Sequence, residues 1–163
     1  MGYIPKEWNN DELPAMNGPN LRHMEAGIKD AHDSIDTINT IIENLTTYSL
    51  DEINTGKKWI DGKTIYIKVI DCGALPNNSI KTIAHDISNI GFLVEPPRGV
   101  SYSSSTGHYF PLPYPADSIS SQVKLWATST DVKLQTGADR TDYTETYVIL
   151  EYVKTTNEVV SNE

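Results

Sequence analysis

The spacing of apolar residues between Leu21 and Leu45 constrains the fold of this chain more than any other feature. The segment reads LRHMEAGIKDAHDSIDTINTIIENL, and its apolar residues are separated by alternating gaps of three and four. A mean period of about 3.5 gives a narrow stripe, which is typical of a seam between helices rather than of a helix facing a globular core. The stripe comprises Leu21, Met24, Ile28, Ala31, Ile35, Ile38, Ile42 and Leu45.

The branched residues of this stripe indicate how many helices meet. With Leu21 as heptad position a, isoleucine occupies both a and d positions at Ile35 and Ile38, which favours three strands over two. Asn20 is a good N-cap and Pro19 precedes it, so we expect a helix of roughly 25 residues from Leu21. Few Glu–Lys pairs occupy e and g, so we expect other parts of the chain to support the trimer. The alternative is an amphipathic helix that packs on its own domain.

Composition limits the partners and the compartment. The 163 residues fit one medium domain with an extension, and the formal net charge is −9. Such a surface argues against nucleic acid or an anionic membrane as partner. No run approaches the roughly 18 apolar residues of a membrane span. The single cysteine, Cys72, excludes an intrachain disulfide framework and lies in an apolar run, so we expect a buried, inert thiol.

From about residue 48 the helical period gives way to short alternating runs. Two of them flank Asp61-Gly62, which predicts a hairpin with a two-residue type I′ turn. Further runs include SSQVKLWATST, DVKLQTG and ETYVILEYVKTT. Seven to nine short strands at this spacing are typical of an antiparallel sandwich or jelly-roll-like domain.

No group of residues forms a recognisable catalytic set. The motifs of lipases, zinc proteases and phosphate-binding loops are absent, and so is a calcium loop. His85 and Asp86 are neighbours on an expected strand and would point to opposite faces. A carboxylate pair for glycoside hydrolysis can always be chosen from 22 acidic residues, so no pair is singled out. We therefore expect a protein that is not an enzyme and needs no cofactor or metal.

A cluster of aromatic residues suggests binding at the surface. Aromatic side chains on loops can stack on sugar rings or dock on protein; the alternative is that they fill the core or a seam between chains. Trp59, Tyr66 and Trp126 lie on expected strands and are assigned to packing within or between chains. The candidate surface-binding residues are Tyr102, His108, Tyr109, Phe110 and Tyr114.

The first 20 residues have a different character. They hold three prolines, which disfavours a regular helix or strand, yet they carry large apolar side chains. Apolar anchors on an extended segment suggest an arm that docks into a partner; the alternative is a disordered terminus. The candidate anchor residues are Tyr3, Ile4, Pro5, Trp8 and Leu13.

Two segments resemble a known class of proteins. Residues 3–8 and 20–28, YIPKEW and NLRHMEAGI, resemble the opening of small structural proteins of phages that infect Gram-positive hosts. Residues 59–77, with TGADRTDYTETYVILEYVKTT later in the chain, are similar to the C-terminal domain of phage head, tail or baseplate fibres. The resemblance implies a homotrimeric fibre on the virion surface, made in the host cytoplasm. It also implies that the N-terminus attaches to a capsid or baseplate protein.

These observations together predict an α+β, mostly β fold in three parts. An extended arm would occupy residues 1–20, a parallel trimeric coiled-coil helix residues 21–47, and an antiparallel β-sandwich or jelly-roll-like tip residues 48–163. The tip would adhere to the host surface, with a cell-wall glycan as one partner, or to the environment. Two alternatives stay open: a tip that hydrolyses cell-wall polysaccharide, and a non-viral adhesin or oligomerisation module.

Overall fold

The structure is a computed structural model in which residues 18–155 are described, apart from the side chains of residues 44–46. The chain divides after Glu43 into two compact units. The first contains most of the helix α1, and the second contains nine strands and a 3₁₀ turn. The elements are α1 Gly18–Thr46, β1 Ile53–Lys58, β2 Thr64–Asp71, β3 Ile80–Ala84, β4 Ile90–Leu93, β5 Arg98–Ser103, β6 His108–Leu112, the 3₁₀ turn Ile119–Ser121, β7 Val123–Ala127, β8 Asp131–Thr136 and β9 Glu145–Lys154.

Helix α1 is longer than the apolar spacing predicted. It has 29 residues and includes Gly18 and Pro19, so Asn20 lies inside the helix and the predicted N-cap is wrong. Proline is tolerated there because the first turn of a helix requires no N–H donation from its residues. On the polar face, Lys29 pairs with Asp33 one turn later at 2.5 Å.

The turn between β1 and β2 also differs from the prediction. Trp59 N–H donates to the carbonyl of Lys63, and Gly62 N–H donates to the carbonyl of Trp59. Gly62 has a φ of +82°, and Asp61 is not among the residues of positive φ. A type I′ turn needs positive φ at both central residues, so this hairpin closes instead through a longer loop in which Gly62 adopts the left-handed conformation.

The second unit contains two antiparallel sheets of unequal size. The larger follows the order β1-β2-β9-β5-β6, with β4 also paired to β9, and the smaller follows β3-β8-β7. Strand β9 is therefore central: it pairs with β2 along one edge and with β4 and β5 along the other. The strands predicted around SSQVKLWATST, DVKLQTG and ETYVILEYVKTT are confirmed as β7, β8 and β9.

Both sheets contribute to one hydrophobic core. Leu150 and Tyr152 of β9 are fully buried, as are Val132 and Leu134 of β8, and all four belong to the same cluster. Alternate residues of these strands face the core because side chains in a strand alternate between the two faces of its sheet.

The predicted fold class is wrong. The described residues form one α-helix and two antiparallel sheets of six and three strands, whereas a jelly roll divides eight strands between its two sheets. No trimeric coiled coil is confirmed, since the structure contains one chain, whose described residues include one α-helix. Heptad spacing reports which side chains share a helix face, but it does not report what covers that face.

Candidate functional site

The apolar stripe of α1 is exposed in the single chain. Ile28 is 69% exposed, and the other large side chains of the stripe that the structure describes are between 40% and 54% exposed. Ala31 is exposed as well, and the side chain of Leu45 lies outside the described residues. Globular proteins seldom leave so many large apolar side chains in one row, so the stripe is a candidate interaction surface.

The candidate anchor residues cannot be placed on the structure. Tyr3, Ile4, Pro5, Trp8 and Leu13 lie outside the described residues.

Four of the five candidate surface-binding residues lie on the large sheet, where they are divided between its two faces, and Tyr114 follows β6. Tyr102 and Tyr109 are cross-strand partners on β5 and β6, and their ring centroids lie 4.7 Å apart. Tyr109 is 71% exposed. His108 and Phe110 alternate with Tyr109 along β6 and therefore belong to the opposite face. The five residues thus do not form one continuous surface.

Phe110 and Tyr114 belong to an aromatic cluster beside the core. Their ring centroids are 4.2 Å apart, and the centroid of Tyr143 lies 5.2 Å from that of Phe110. The guanidinium carbon of Arg140 stands 5.6 Å from the Phe110 ring centroid. These contacts fix Tyr114 at the point where the chain leaves β6 and approaches β7.

An open groove of about 460 Å³ runs beside Tyr114, along the edge of β7. Its residues come from two segments: the proline-rich turn after β6, and the start and middle of β7. Tyr114 and Val123 exchange both backbone hydrogen bonds, at 2.9 and 3.1 Å, which joins the two segments. The principal lining residues are Pro113, Tyr114, Pro115, Gln122, Lys124 and Trp126.

Two backbone segments approach each other closely at the 3₁₀ turn that precedes β7. A Cβ added to Gly137 would lie 2.1 Å from the carbonyl oxygen of Ile119, which is closer than any side chain allows. Glycine at this position therefore lets β8 and the following loop pack against the 3₁₀ turn. Next to that turn, the side-chain nitrogen of Gln122 donates a hydrogen bond to the carbonyl of Ala116 at 2.9 Å, which links Gln122 to the loop that follows β6.

Trp126 is a groove residue that sequence reasoning assigned to packing. Val123, Leu125 and Ala127 of β7 contribute to the core or pack on it, so Trp126 and Lys124 belong to the other face of the small sheet. Lys133 of β8 is the direct cross-strand partner of Trp126. The alternation of VKLWA already contained this signal, because it places the tryptophan in register with Lys124.

A second pocket, of about 330 Å³, lies on the face of the large sheet that points away from the small one. It is lined mainly by Tyr48, Val100, Tyr147 and Ile149, with Arg98 at its margin. The Arg98 guanidinium is already engaged by the carboxylates of Glu151 and Glu95, at 2.5 and 2.7 Å. The hydrogen bond to Glu151 raises the pKa of Arg98 above its ordinary value. The lining of the pocket is therefore mainly apolar. The positive charge of Arg98 at its margin is balanced by the two glutamates.

Two residues with side chains that are often reactive, His85 and Cys72, are buried in this protein. His85 is buried; its Nδ1 accepts a hydrogen bond from Ile87 N–H at 3.1 Å, and its Nε2 lies 3.4 Å from the carbonyl of Thr128. Because Nδ1 accepts a hydrogen bond, Nε2 is the ring nitrogen that donates toward the Thr128 carbonyl. Cys72 is also buried, and desolvation raises the pKa of its thiol to about 12.

Within residues 18–155, no group of three or more histidine, cysteine or acidic side chains is arranged to hold a metal ion. In the same part of the chain, α1 lacks the apolar length needed to cross a membrane.

Comparisons with protein-family models, with curated proteins and with solved structures find no match for this chain.

Proposed function

We propose that this chain is a structural protein of a phage virion, a homotrimeric fibre displayed on the particle surface. Residues 1–20 would attach it to a capsid or baseplate protein, and the β unit would contact the host surface or the environment. The observation that carries the proposal is the exposed apolar stripe of α1, which other copies of the chain would cover.

The energetics of the stripe support self-association. Burying one large aliphatic side chain stabilises a complex by about 1.5–3 kcal/mol before the cost of association is subtracted. The stripe offers six such side chains that are at least 40% exposed in the single chain. Isoleucine at both Ile35 and Ile38 favours three copies over two. Self-association through α1 is therefore the simplest way to cover this surface.

The negative net charge of the chain is compatible with many fibres standing close together on one particle. Each chain carries a formal charge of −9, so assembled fibres would repel one another and remain separate in solution. Three identical β units on one fibre would also bind a repetitive surface with avidity, even if each single site were weak.

The placement on a virion rests on the N-terminal resemblance. Residues 3–8 and 20–28 resemble the openings of phage structural proteins, and apolar anchors such as Tyr3 and Trp8 suit a docking arm. The proposed role needs no catalysis: adhesion and attachment account for the candidate surfaces of the chain.

Labelling of intact particles tests the proposal. Antibodies raised against the purified β unit, coupled to gold, would be applied to purified virions from the source phage and imaged. Labels at regular positions on the capsid or at the baseplate are expected. Particles that carry no label, although the chain is detected in the lysate, would contradict the proposal. Release of new reducing ends from host wall glycans would instead favour the hydrolase alternative.

A further inference from the structure

We propose that the groove bounded by Trp126 and Tyr114 binds an anionic polysaccharide, one whose sugar or polyol units carry phosphate or carboxylate groups. The inference deepens the proposed function and rests on it, because it names the ligand class that the β unit of the fibre would recognise.

The first argument is the open backbone edge along the groove. Val123 directs its N–H and carbonyl toward Tyr114, and alternate residues of a strand direct these groups to the same edge. Leu125 therefore presents its N–H and carbonyl to the side where the groove runs, beyond the end of the Tyr114 pairing. Hydroxyl groups of a bound glycan can donate to and accept from these backbone groups.

The second argument is the composition of the walls. Trp126, Tyr114, Pro113 and Pro115 provide flat or rigid apolar surfaces, and sugar rings expose C–H faces that stack on such surfaces. Gln122 adds a polar side-chain amide. Its nitrogen donates a hydrogen bond to the carbonyl of Ala116, and this bond fixes the orientation of the amide oxygen. A mostly apolar groove with a few fixed polar groups is typical of ligand sites.

The third argument is charge. Lys124 lines the groove, and Lys133 stands directly across from Trp126 on β8. Among the described residues, neither lysine forms an ion pair, while Lys29, Lys63, Arg98 and Lys154 all do. Asp131, two residues before Lys133 on β8, accepts a hydrogen bond from Thr130. Lys124 and Lys133, which form no ion pair within residues 18–155, stand beside the half-buried indole of Trp126 and make a local positive group that is complementary to a polyanion.

Calorimetric titration of the intact chain with three polymers tests the proposal. The probes are a glycerol-phosphate polymer, polygalacturonate as a carboxylate polymer, and neutral dextran. Binding to at least one polyanion, weakened by added salt, is expected, together with no binding to dextran. The two polyanion titrations distinguish phosphate from carboxylate as the recognised group. Absence of binding to both polyanions, or equal binding to dextran, would overturn the inference.

Variants locate the site. Trp126→Ala is expected to weaken binding by about tenfold, and Lys124→Ala with Lys133→Ala is expected to weaken it and reduce its salt dependence. The matched control for charge is Lys57→Ala with Lys58→Ala, which removes two positive charges from β1. Trp59→Ala is the matched control for tryptophan. Both controls should bind as the unmodified chain does.

The outcomes separate this inference from the proposed function. Circular dichroism confirms that each variant is folded, and Trp126→Phe, which keeps an aromatic ring, should recover part of the lost affinity. If the β1 controls lose as much affinity as the groove variants, the groove is not the site. A chain that forms trimers and is found on virions but binds neither polyanion contradicts only the inference. A chain that binds through Trp126 but is absent from virions contradicts only the proposed function.

Discussion

The phenol of Tyr152 donates a hydrogen bond to a carboxylate oxygen of Glu52, joining two residues that are 100 positions apart in the chain. Tyr152 is fully buried in the core, whereas Glu52 lies just before β1 and also pairs with Lys154 at 2.5 Å. The contact ties the segment that leads out of α1 to the central strand of the large sheet. Burial, followed by the bond to Glu52, raises the pKa of the Tyr152 phenol above its ordinary value.

Replacing Tyr152 by phenylalanine should destabilise the β unit. Tyr152→Phe keeps the ring in the core but removes one of the two donors to the Glu52 carboxylate, leaving Lys154 as the other, so the free energy of unfolding is expected to fall by about 1.5–3 kcal/mol. Urea denaturation measures this difference. Tyr66 stacks on Tyr152 with centroids 6.1 Å apart and provides the matched control. Tyr66→Phe should change stability much less, and an equal loss in both variants would contradict the role of Glu52.

The Cys72 thiol should be unreactive in the folded chain. Its pKa of about 12 leaves almost no thiolate at pH 8, and burial restricts access by reagents. Labelling with a disulfide reagent is expected to be slow under native conditions and fast in denaturant. Rapid, complete labelling of the native protein would show that this part of the core opens readily.

The same thiol makes stability depend on alkaline pH. A pKa raised from 9.0 to about 12 means that the unfolded chain loses this proton first. The stability that Cys72 contributes is therefore fully present below pH 9 and is lost as the pH rises toward 12. In denaturation curves, Cys72→Ala should show a shallower loss of stability over that interval than the unmodified chain. Identical slopes would indicate that other groups account for the alkaline loss.

Adjacent residues of β9 should respond differently to truncation. Leu150 is fully buried between the two sheets, whereas Ile149 is partly exposed and lines the pocket on the opposite face. Leu150→Ala is expected to cost about 2–5 kcal/mol of unfolding free energy, and Ile149→Ala clearly less. Thermal and urea denaturation of the two variants test this. If Ile149→Ala is the more damaging change, the pocket face is buried in the protein as it exists in solution.

The strands were predictable where their side chains alternate, but their arrangement into sheets was not. Alternation in VKLWA is local, and Val123 does belong to the core, against which Leu125 packs. The pairing of β9 with β2 joins segments about 80 residues apart, as in Ile70 with Val148, and no local pattern records which strands meet. The structure therefore has two sheets of unequal size, where the sequence predicted a sandwich or jelly roll.

Only part of the candidate site could be predicted from the sequence, because its residues come together through tertiary contacts. Proximity in sequence grouped Tyr109 with Phe110, yet neighbours on a strand lie on opposite faces, and the structure separates them. The sequence predicts packing within or between chains for Trp126 because this residue lies on an expected strand. Its position in register with Lys124 indicated otherwise, but the groove itself depends on the approach of Tyr114, which is a tertiary contact.

Charges placed on the stripe of α1 should prevent self-association. Ile28→Asp with Ile35→Asp puts two carboxylates among the exposed apolar side chains, and the burial of unpaired charges strongly opposes assembly. The matched control is Ala26→Asp with Thr40→Asp, which adds the same charge at heptad position f, outside the stripe. Sedimentation velocity is expected to show assembly in the control and its loss in the stripe variant. Assembly of both variants would mean that the β unit alone suffices.

The mass of the unmodified chain in solution tests the central claim most directly. Light scattering coupled to size-exclusion chromatography, at micromolar concentration, measures it independently of shape. A homotrimer predicts about 54 kDa, three times the 18.1 kDa of one chain. A single species at 18.1 kDa would contradict the homotrimeric fibre.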